Sequence, residues 1–394
     1  MPIKVYRSND LGAPVLSGQI GQFITFLDAI LVNGYNSVSV SSLTRSGSTA
    51  TATCAAPHGL STGDVVLVAG AGQADYNVEA VVTVVSGTVF TYDVANSPTS
   101  PATGTITAKR APLGYTKVFT GSNKAAYRAN DTSGLRHYLR VQDDGGSSGG
   151  NRECRLWGYE AMTDVDTGTG PYPTAGQSSN GYFQMKSSTT DGTQRAWCMI
   201  GDGKIFYLFV DYGGAAASGV GNTGTFYGTV FGDILSYKPG DAYASVLSAC
   251  TTAASTTSPL QSLGVQQTSI NSPTSFSSSM NIARDFTAVL GSRYVGLMAS
   301  GLGTGMGFST YISYPHQIDN GFYINPVQVT QGSPAVIRGK MPGLYESMHG
   351  RALNNGDIVE NVQGLTGRKF MMMYVNFTSQ GGHLMVDITG PWDA

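Results

Sequence analysis

The sequence predicts a mainly β protein: a β-sandwich, jelly-roll-like main domain with one or two short helices and a small all-β module inserted near its start. Three observations predict it. Short apolar runs recur at 8–12-residue spacing, each bounded by Gly, Pro, Asn or Asp. Glycine is abundant, at 52 of 394 residues, which suits tight turns because glycine tolerates positive φ. Finally, Ile205-Phe206-Tyr207-Leu208-Phe209-Val210 is apolar without alternation, as a strand buried on both faces must be.

The elements follow in chain order. Residues 1–42 supply the first strand and a helix of the main domain. Ser17 is a candidate cap, and Ile20, Phe23, Ile24, Leu27, Ile30 and Leu31 recur at three-to-four spacing until Gly34. Residues 43–110 form the inserted module. It runs from Leu43 through a Thr/Ala-alternating strand, Pro57-His58-Gly59, Val65–Val68, Val81–Val85 and Val89–Val94 to Gly104-Thr105-Ile106-Thr107. Asn33-Gly34-Tyr35 precedes it and Leu113-Gly114-Tyr115 follows it, so its ends should lie close together on the host.

Residues 111–394 continue the main domain. Leu135–Val141 should pair with Glu153–Ala161, and Gln194–Ile200 with Lys204–Val210 across Gly201-Asp202-Gly203. A further strand pair is expected within Gly224–Tyr237, and a short helix from Asp241 with Tyr243, Val246, Leu247 and Cys250 inward. Residues 251–280 are Ser/Thr/Gln-rich and read as a long loop or arm. Strands resume at Ala288–Leu297 and Phe322–Val329. Phe370–Phe377 and Leu384–Ile388 should form a hairpin turning at Gly381-Gly382, with Trp392 closing the end of the sandwich. No repeat of 20–50 residues is present, which argues against a solenoid or propeller.

Composition narrows the function. Charged residues make up 12% of the chain, about half of the ~25% usual in soluble domains. A surface short of charge suits a subunit packed against neighbours, since interface cores are depleted in charge. The net charge of −2 gives no basic footprint for nucleic acid. Met1–Asp10 is polar and predicts no cleavable signal, and Phe23–Val32 is too short to span a bilayer. Cys54, Cys154, Cys198 and Cys250 are widely spaced, so they read as reduced, buried residues and not as a disulfide framework or metal set.

Candidate chemistry is sparse. Asp164-Val165-Asp166-Thr167-Gly168 opens like a calcium loop but lacks the distal Glu. Gly301–Gly307 is glycine-rich without the dinucleotide fingerprint. His58, His137, His316, His349 and His383 show no paired metal spacing, and His58 reads as a turn residue. No GxSxG elbow is present. Asp202, Asp211, Asp233 and Asp241 lie among aromatics and could supply paired carboxylates for glycoside cleavage, if the fold set them about 5–10 Å apart. No catalytic, cofactor-binding or metal residue is assigned.

His58-Gly59-Leu60 to Gly63-Asp64-Val65-Val66, with Tyr76-Asn77 downstream, resembles small β-modules that recur in virion proteins of tailed bacteriophages. Ile3–Asp10, Phe231-Gly232-Asp233, Lys238–Asp241, Arg338–Tyr345 and Asp387–Trp392 resemble a family of phage structural proteins. The resemblance implies a non-enzymatic structural subunit, without cofactor, in the tail, baseplate or neck (collar). Its expected partners are other virion proteins and further copies of itself, with neither nucleic acid nor membrane. It would assemble in the host cytoplasm and end in the virion. The alternative is a receptor- or glycan-binding tail adhesin; a third reading is a surface-polysaccharide hydrolase.

Overall fold

The computed structural model describes residues 2–145, 150–221, 226–249, 280–291, 295–298, 313–331, 336–349, 353–377 and 380–392. The fold is mainly β, built from antiparallel sheets packed face to face. The expected 251–280 arm (but for Met280), Gly301–Gly307 and Cys250 lie outside the described residues.

The middle sheet runs in the order Lys4–Arg7, Arg195–Gly201, Ile205–Ala215, Tyr227–Asp233, Ser245–Ser248, Met280–Ile282. Its central hairpin forms where expected, pairing Met199 with Leu208 and Ile200 with Tyr207. Strand periodicity sends Phe206, Leu208 and Val210 to one face and Ile205, Tyr207 and Phe209 to the other, and all six are buried. Each face has its own partner sheet. On the first lies a meander of Tyr115–Gly121, Lys124–Ala129, Tyr138–Gln142, Glu153–Met162 and Gly168–Tyr172, which contributes Tyr127, Leu139, Val141 and Leu156 to a shared core. On the second lies a sheet containing Ile324–Gln331, Val336–Ser347, Gln380–Asp387 and Phe370–Phe377. Its Val329, Leu344, Met371, Met373, Leu384 and Val386 form a second core. The body is thus two sandwiches sharing one sheet. At about 1.5–3 kcal/mol per buried Leu, Ile or Phe, a sheet with two apolar faces needs a cover on each.

Local expectations give way where tertiary contacts outweigh them. The first helix spans Gln22–Leu27 and widens into a π-helical segment, Asp28–Asn33. Ser17 does not cap it: its hydroxyl is buried without a partner. Instead Asp143, from a distant loop, accepts the Phe23 N–H at 2.8 Å, and Ile20 is exposed instead of joining the core face. Gly34 does end the helix, at φ 71°. A Cβ there would lie 2.3 Å from the Arg110 carbonyl oxygen.

The helix expected from Asp241 is a strand, Ser245–Ser248, buried on both faces between Tyr227–Asp233 and Met280–Ile282. Of the pair expected within 224–237, Tyr227–Asp233 joins the middle sheet while Leu235–Ser236 crosses to Val336–Ser347. Residues 284–290 fold back on themselves through an Arg284–Leu290 bridge, so the strand expected from Ala288 begins only at Val295. Gly381 and Gly382 do not form the expected turn: they lie within a strand, opposite Asn376 and Val375.

Residues 35–110 form a seven-stranded sheet closed almost into a barrel. Its terminal strands, Glu79–Val81 and Thr83–Ser86, are linked by Val82 alone. The Val82 N–H donates to the Asp64 carbonyl, and its own carbonyl accepts from Gly63. Tyr76, Phe90, Val66 and Val68 fill a separate core. His58 sits in the expected turn: its Nδ1 accepts the Leu60 N–H, so Nε2 donates to the Ser86 carbonyl. Residues 35–42, assigned by sequence to the main domain, are the first eight residues of strand Tyr35–Ser46, and Tyr35, Val38 and Ser39 pair with Gly104–Arg110. The seam with the body is ionic. Buried Arg110 lies 2.8 Å from Asp64 and 3.3 Å from Asp10, and Lys4 reaches Glu79 at 2.7 Å.

Candidate functional site: a carboxylate-lined cavity

Where the central hairpin turns, three segments that the sequence keeps apart converge. Asp202 occupies that turn because its Oδ1 accepts the N–H groups of Lys204 and Ile205, at 2.9 and 3.1 Å. Gly203, at φ 90°, supplies the left-handed residue that closes it. Asp233 ends the neighbouring strand. Asp241 follows the short crossover to the outer sheet. Together with Ser133–Leu135, Lys204, Ser236, Lys238 and Trp392 they line a cavity of about 270 Å³, slightly below the ~300–1,000 Å³ of typical ligand pockets.

The three carboxylates differ in state. Asp241 is buried but makes two hydrogen bonds to Arg338, at 2.7 and 2.9 Å. Burial alone would raise it; the guanidinium and the Ser236 hydroxyl outweigh that and hold it below the usual range. Burial pushes Asp202 up against the pull of its two amides. Burial also pushes Asp233 up, to about 6, although the Leu135 N–H and the Ser245 hydroxyl donate to it; the nearby Asp202 charge adds to the rise. The lysines point elsewhere, Lys204 toward Asp131 at 3.9 Å and Lys238 to the Phe286 carbonyl at 2.8 Å. The cavity therefore presents one carboxyl that exchanges its proton near neutrality, beside a second carboxyl.

Asp211 does not join them. It accepts the N–H groups of Gly213 and Gly214 at the far end of its strand. Asp166 of the calcium-like loop is taken by Lys124 and Arg140, at 2.8 and 2.5 Å. Cys54, Cys154 and Cys198 are buried and free. Among the described residues, no group of His, Cys, Asp or Glu could hold a metal ion. Sequence reasoning did not find Ser133, Lys204, Ser236 or Lys238. No motif marks them; only the crossing of chain segments brings them together.

The raised carboxyl makes stability depend on pH. Native Asp233 keeps its proton up to about pH 6, against an ordinary 3.8, so its contribution is full below about pH 3.8 and is lost as pH rises through 6. Buried His137 acts oppositely: burial lowers it from 6.5 to about 4, so its contribution is full above pH 6.5 and is lost as pH falls through 4. Each is worth on the order of 3 kcal/mol. Denaturant unfolding of the wild type should therefore vary little between pH 4 and 6. As pH falls from 6 to 4, Asp233→Asn should lose about 3 kcal/mol of stability that the wild type keeps; a flat profile in that variant would refute the assignment.

No family model matches this sequence, and no curated protein matches it. Among solved structures, the chain is similar to Phage phi92 endosialidase at 13% identity and a TM-score of 0.16. The match covers 90% of this chain and 52% of that one, so this chain spans about half the length of the protein it matches.

Proposed function

We propose that this chain is a non-enzymatic structural subunit of a tailed-phage particle, working as a symmetric homo-oligomer among other virion proteins in the tail, baseplate or neck. Its motifs and low charge support that reading. Exposed apolar side chains on adjoining segments carry it: Tyr237, Phe286, Val289, Leu290, Val336 and Ile337 are 37–56% exposed. The segments that bear them adjoin. The Tyr237 N–H donates to the Arg338 carbonyl, and Lys238 reaches the Phe286 carbonyl; Arg338 in turn donates to the Arg284 carbonyl. Exposed apolar residues gathered on adjoining segments suit a contact surface. Light scattering should find a defined oligomer, and Ile337→Asp should dissociate it while leaving the melt unchanged. The protein should release no oligosaccharide from host surface glycans. A monomer at every concentration, or glycan release abolished by Asp233→Asn, would overturn the proposal.

The second reading, a receptor- or glycan-binding adhesin at the tail tip, is favoured by the carboxylate- and hydroxyl-lined cavity. Saturable binding of a host glycan, lost in Asp202→Asn, would select it.

We also propose that the barrel is an insertion into a host formed by the rest of the chain. Tyr35 and Arg110 face each other in register, so a short Gly/Ser bridge can replace residues 36–109. The excised protein should keep a cooperative melt at lower temperature, having lost the Asp64 and Glu79 ion pairs. Insolubility would show the barrel to be integral to the body.

A further inference from the structure

Two arginines tie together the arms of one hairpin in the meander. Strands Lys124–Ala129 and Tyr138–Gln142 are joined by residues 130–137, with Arg128 opposite Tyr138 in register. The Arg128 Nε donates to the Arg136 carbonyl, and the Arg136 Nε to the Ala129 carbonyl, each at 2.9 Å. The Arg128 guanidinium also lies over the Tyr138 ring, 5.0 Å from its centroid. Both arginines are half-buried. Arg136 sits at φ 60°, a left-handed conformation that a Cβ disfavours and that folds retain chiefly at working sites.

Arg140, on the same hairpin, shows the usual arrangement completed. Its Nε donates to the Val165 carbonyl at 2.7 Å, and one Nη donates to the Asp166 carboxylate at 2.5 Å. The remaining cations of these strands are matched as well: Lys117 with Asp28, Lys124 with Asp166, Arg155 with Asp144. Arg128 and Arg136 have the carbonyl and lack the carboxylate; among the described residues neither forms an ion pair. The nearby acids are already engaged. Asp131, in the connecting loop, accepts the Ser133 hydroxyl and N–H at 2.7 and 2.9 Å and lies 3.9 Å from Lys204. Glu160 is held by Arg284 at 2.6 and 2.9 Å.

A guanidinium whose Nε is spent on a carbonyl keeps its two Nη groups as a planar fork for an anion. Two such forks on one hairpin carry like charges, which repel until an anion offsets them. Their two charges match a dianion. A tetrahedral phosphate or sulfate has oxygens enough to serve both forks, whereas a carboxylate brings one charge and two oxygens. Because both side chains are already pinned through Nε, little freedom remains to be lost on binding.

We propose that Arg128 and Arg136 form a binding site for a phosphate or sulfate group, with one dianion bridging the two guanidinium forks.

The Nε–H groups of Arg128, Arg136 and Arg140 are all hydrogen-bonded to carbonyls, so nuclear magnetic resonance of the full chain can follow them through a titration with inorganic phosphate in a phosphate-free buffer. The Arg128 and Arg136 signals should shift together and saturate, while Arg140, filled by Asp166, stays in place. Sulfate should act likewise, and acetate at equal ionic strength should not. Glycerol phosphate reads the source: saturation by it as well as by phosphate supports a phosphorylated ligand, and saturation by inorganic phosphate alone supports the free ion. Arg136→Gln should weaken phosphate binding about tenfold or more, the worth of a charged hydrogen bond. Arg128→Lys keeps the charge without the fork and should also weaken it, and serves if the glutamine variant does not fold. Signals that never saturate, an equal shift at Arg140, acetate binding as tight as phosphate, or unchanged affinity in both variants would each overturn the proposal.

Discussion

Trp392→Ala should destabilise the protein by about 3–5 kcal/mol, a large part of the ~5–15 kcal/mol that holds a domain together. The ring is 4% exposed and packs 5.6 Å from the Tyr207 ring, centroid to centroid. It belongs to the core between the middle and outer sheets. Its indole N–H donates to the Asp387 carbonyl at 2.9 Å, which ties the end of the chain to strand Gln380–Asp387. Gly343 leaves room for it, since a Cβ there would approach the indole nitrogen to 2.2 Å. The ring also lines the cavity, so its removal opens the cavity into the core. Trp392→Phe, which keeps a six-membered ring but loses the pyrrole ring and its N–H, should cost less than the alanine change, with about 1 kcal/mol of the loss due to the hydrogen bond. Thermal or denaturant melts compare the three proteins. An alanine variant that melts like the parent would show that the ring stabilises nothing within the subunit.

A comparable loss is expected at the opposite end of the body. Lys186 and Asp143 are fully buried and form an ion pair. Lys186 also donates to the Gln19 carbonyl at 2.8 Å, and Asp143 holds the start of the first helix through Phe23. Burial raises the Asp143 carboxyl, against the pull of Lys186 and the Phe23 amide. Removing one partner leaves the other charge buried and uncompensated, so Lys186→Met should cost about 3–5 kcal/mol. Replacing both charges removes that penalty. Asp143→Leu combined with Lys186→Met should recover most of the loss and retain a deficit of about 1 kcal/mol for the missing helix cap. Equal destabilisation in the single and double variants would show that helix anchoring, and not the stranded charge, is what Lys186 protects.

These sites differ in how far they could be read in advance. The packing of Trp392 and its need for an acceptor follow from a large apolar ring with one N–H just beyond an apolar strand. Nothing near Ser17 or Phe23 announces Asp143. A serine before an apolar run satisfies the local rule for a cap, but an aspartate 120 positions away reached the orphaned amide first. The segment from Asp241 misled in the same way. Tyr243, Val246, Leu247 and Cys250 have helical spacing, yet Val246 and Leu247 are also adjacent residues that a strand sends to opposite faces. The middle sheet had a core waiting on each side.

What the sequence determined by itself is what depends on neighbours along the chain. The β class, the hairpin at Gly201-Asp202-Gly203, the double-sided strand after it, the end of the helix at Gly34 and the turn at His58 all rest on φ preference and side-chain alternation, which act over a few residues. Tertiary structure alone decided the third layer, the cap on the first helix, the ionic seam at Arg110, and the meeting of Asp202, Asp233 and Asp241 while Asp211 stayed apart. Each of those depends on which distant segment arrives to satisfy a buried charge, an unpaired amide or a bare apolar face. A sequence states the need locally, and only the folded chain supplies the partner.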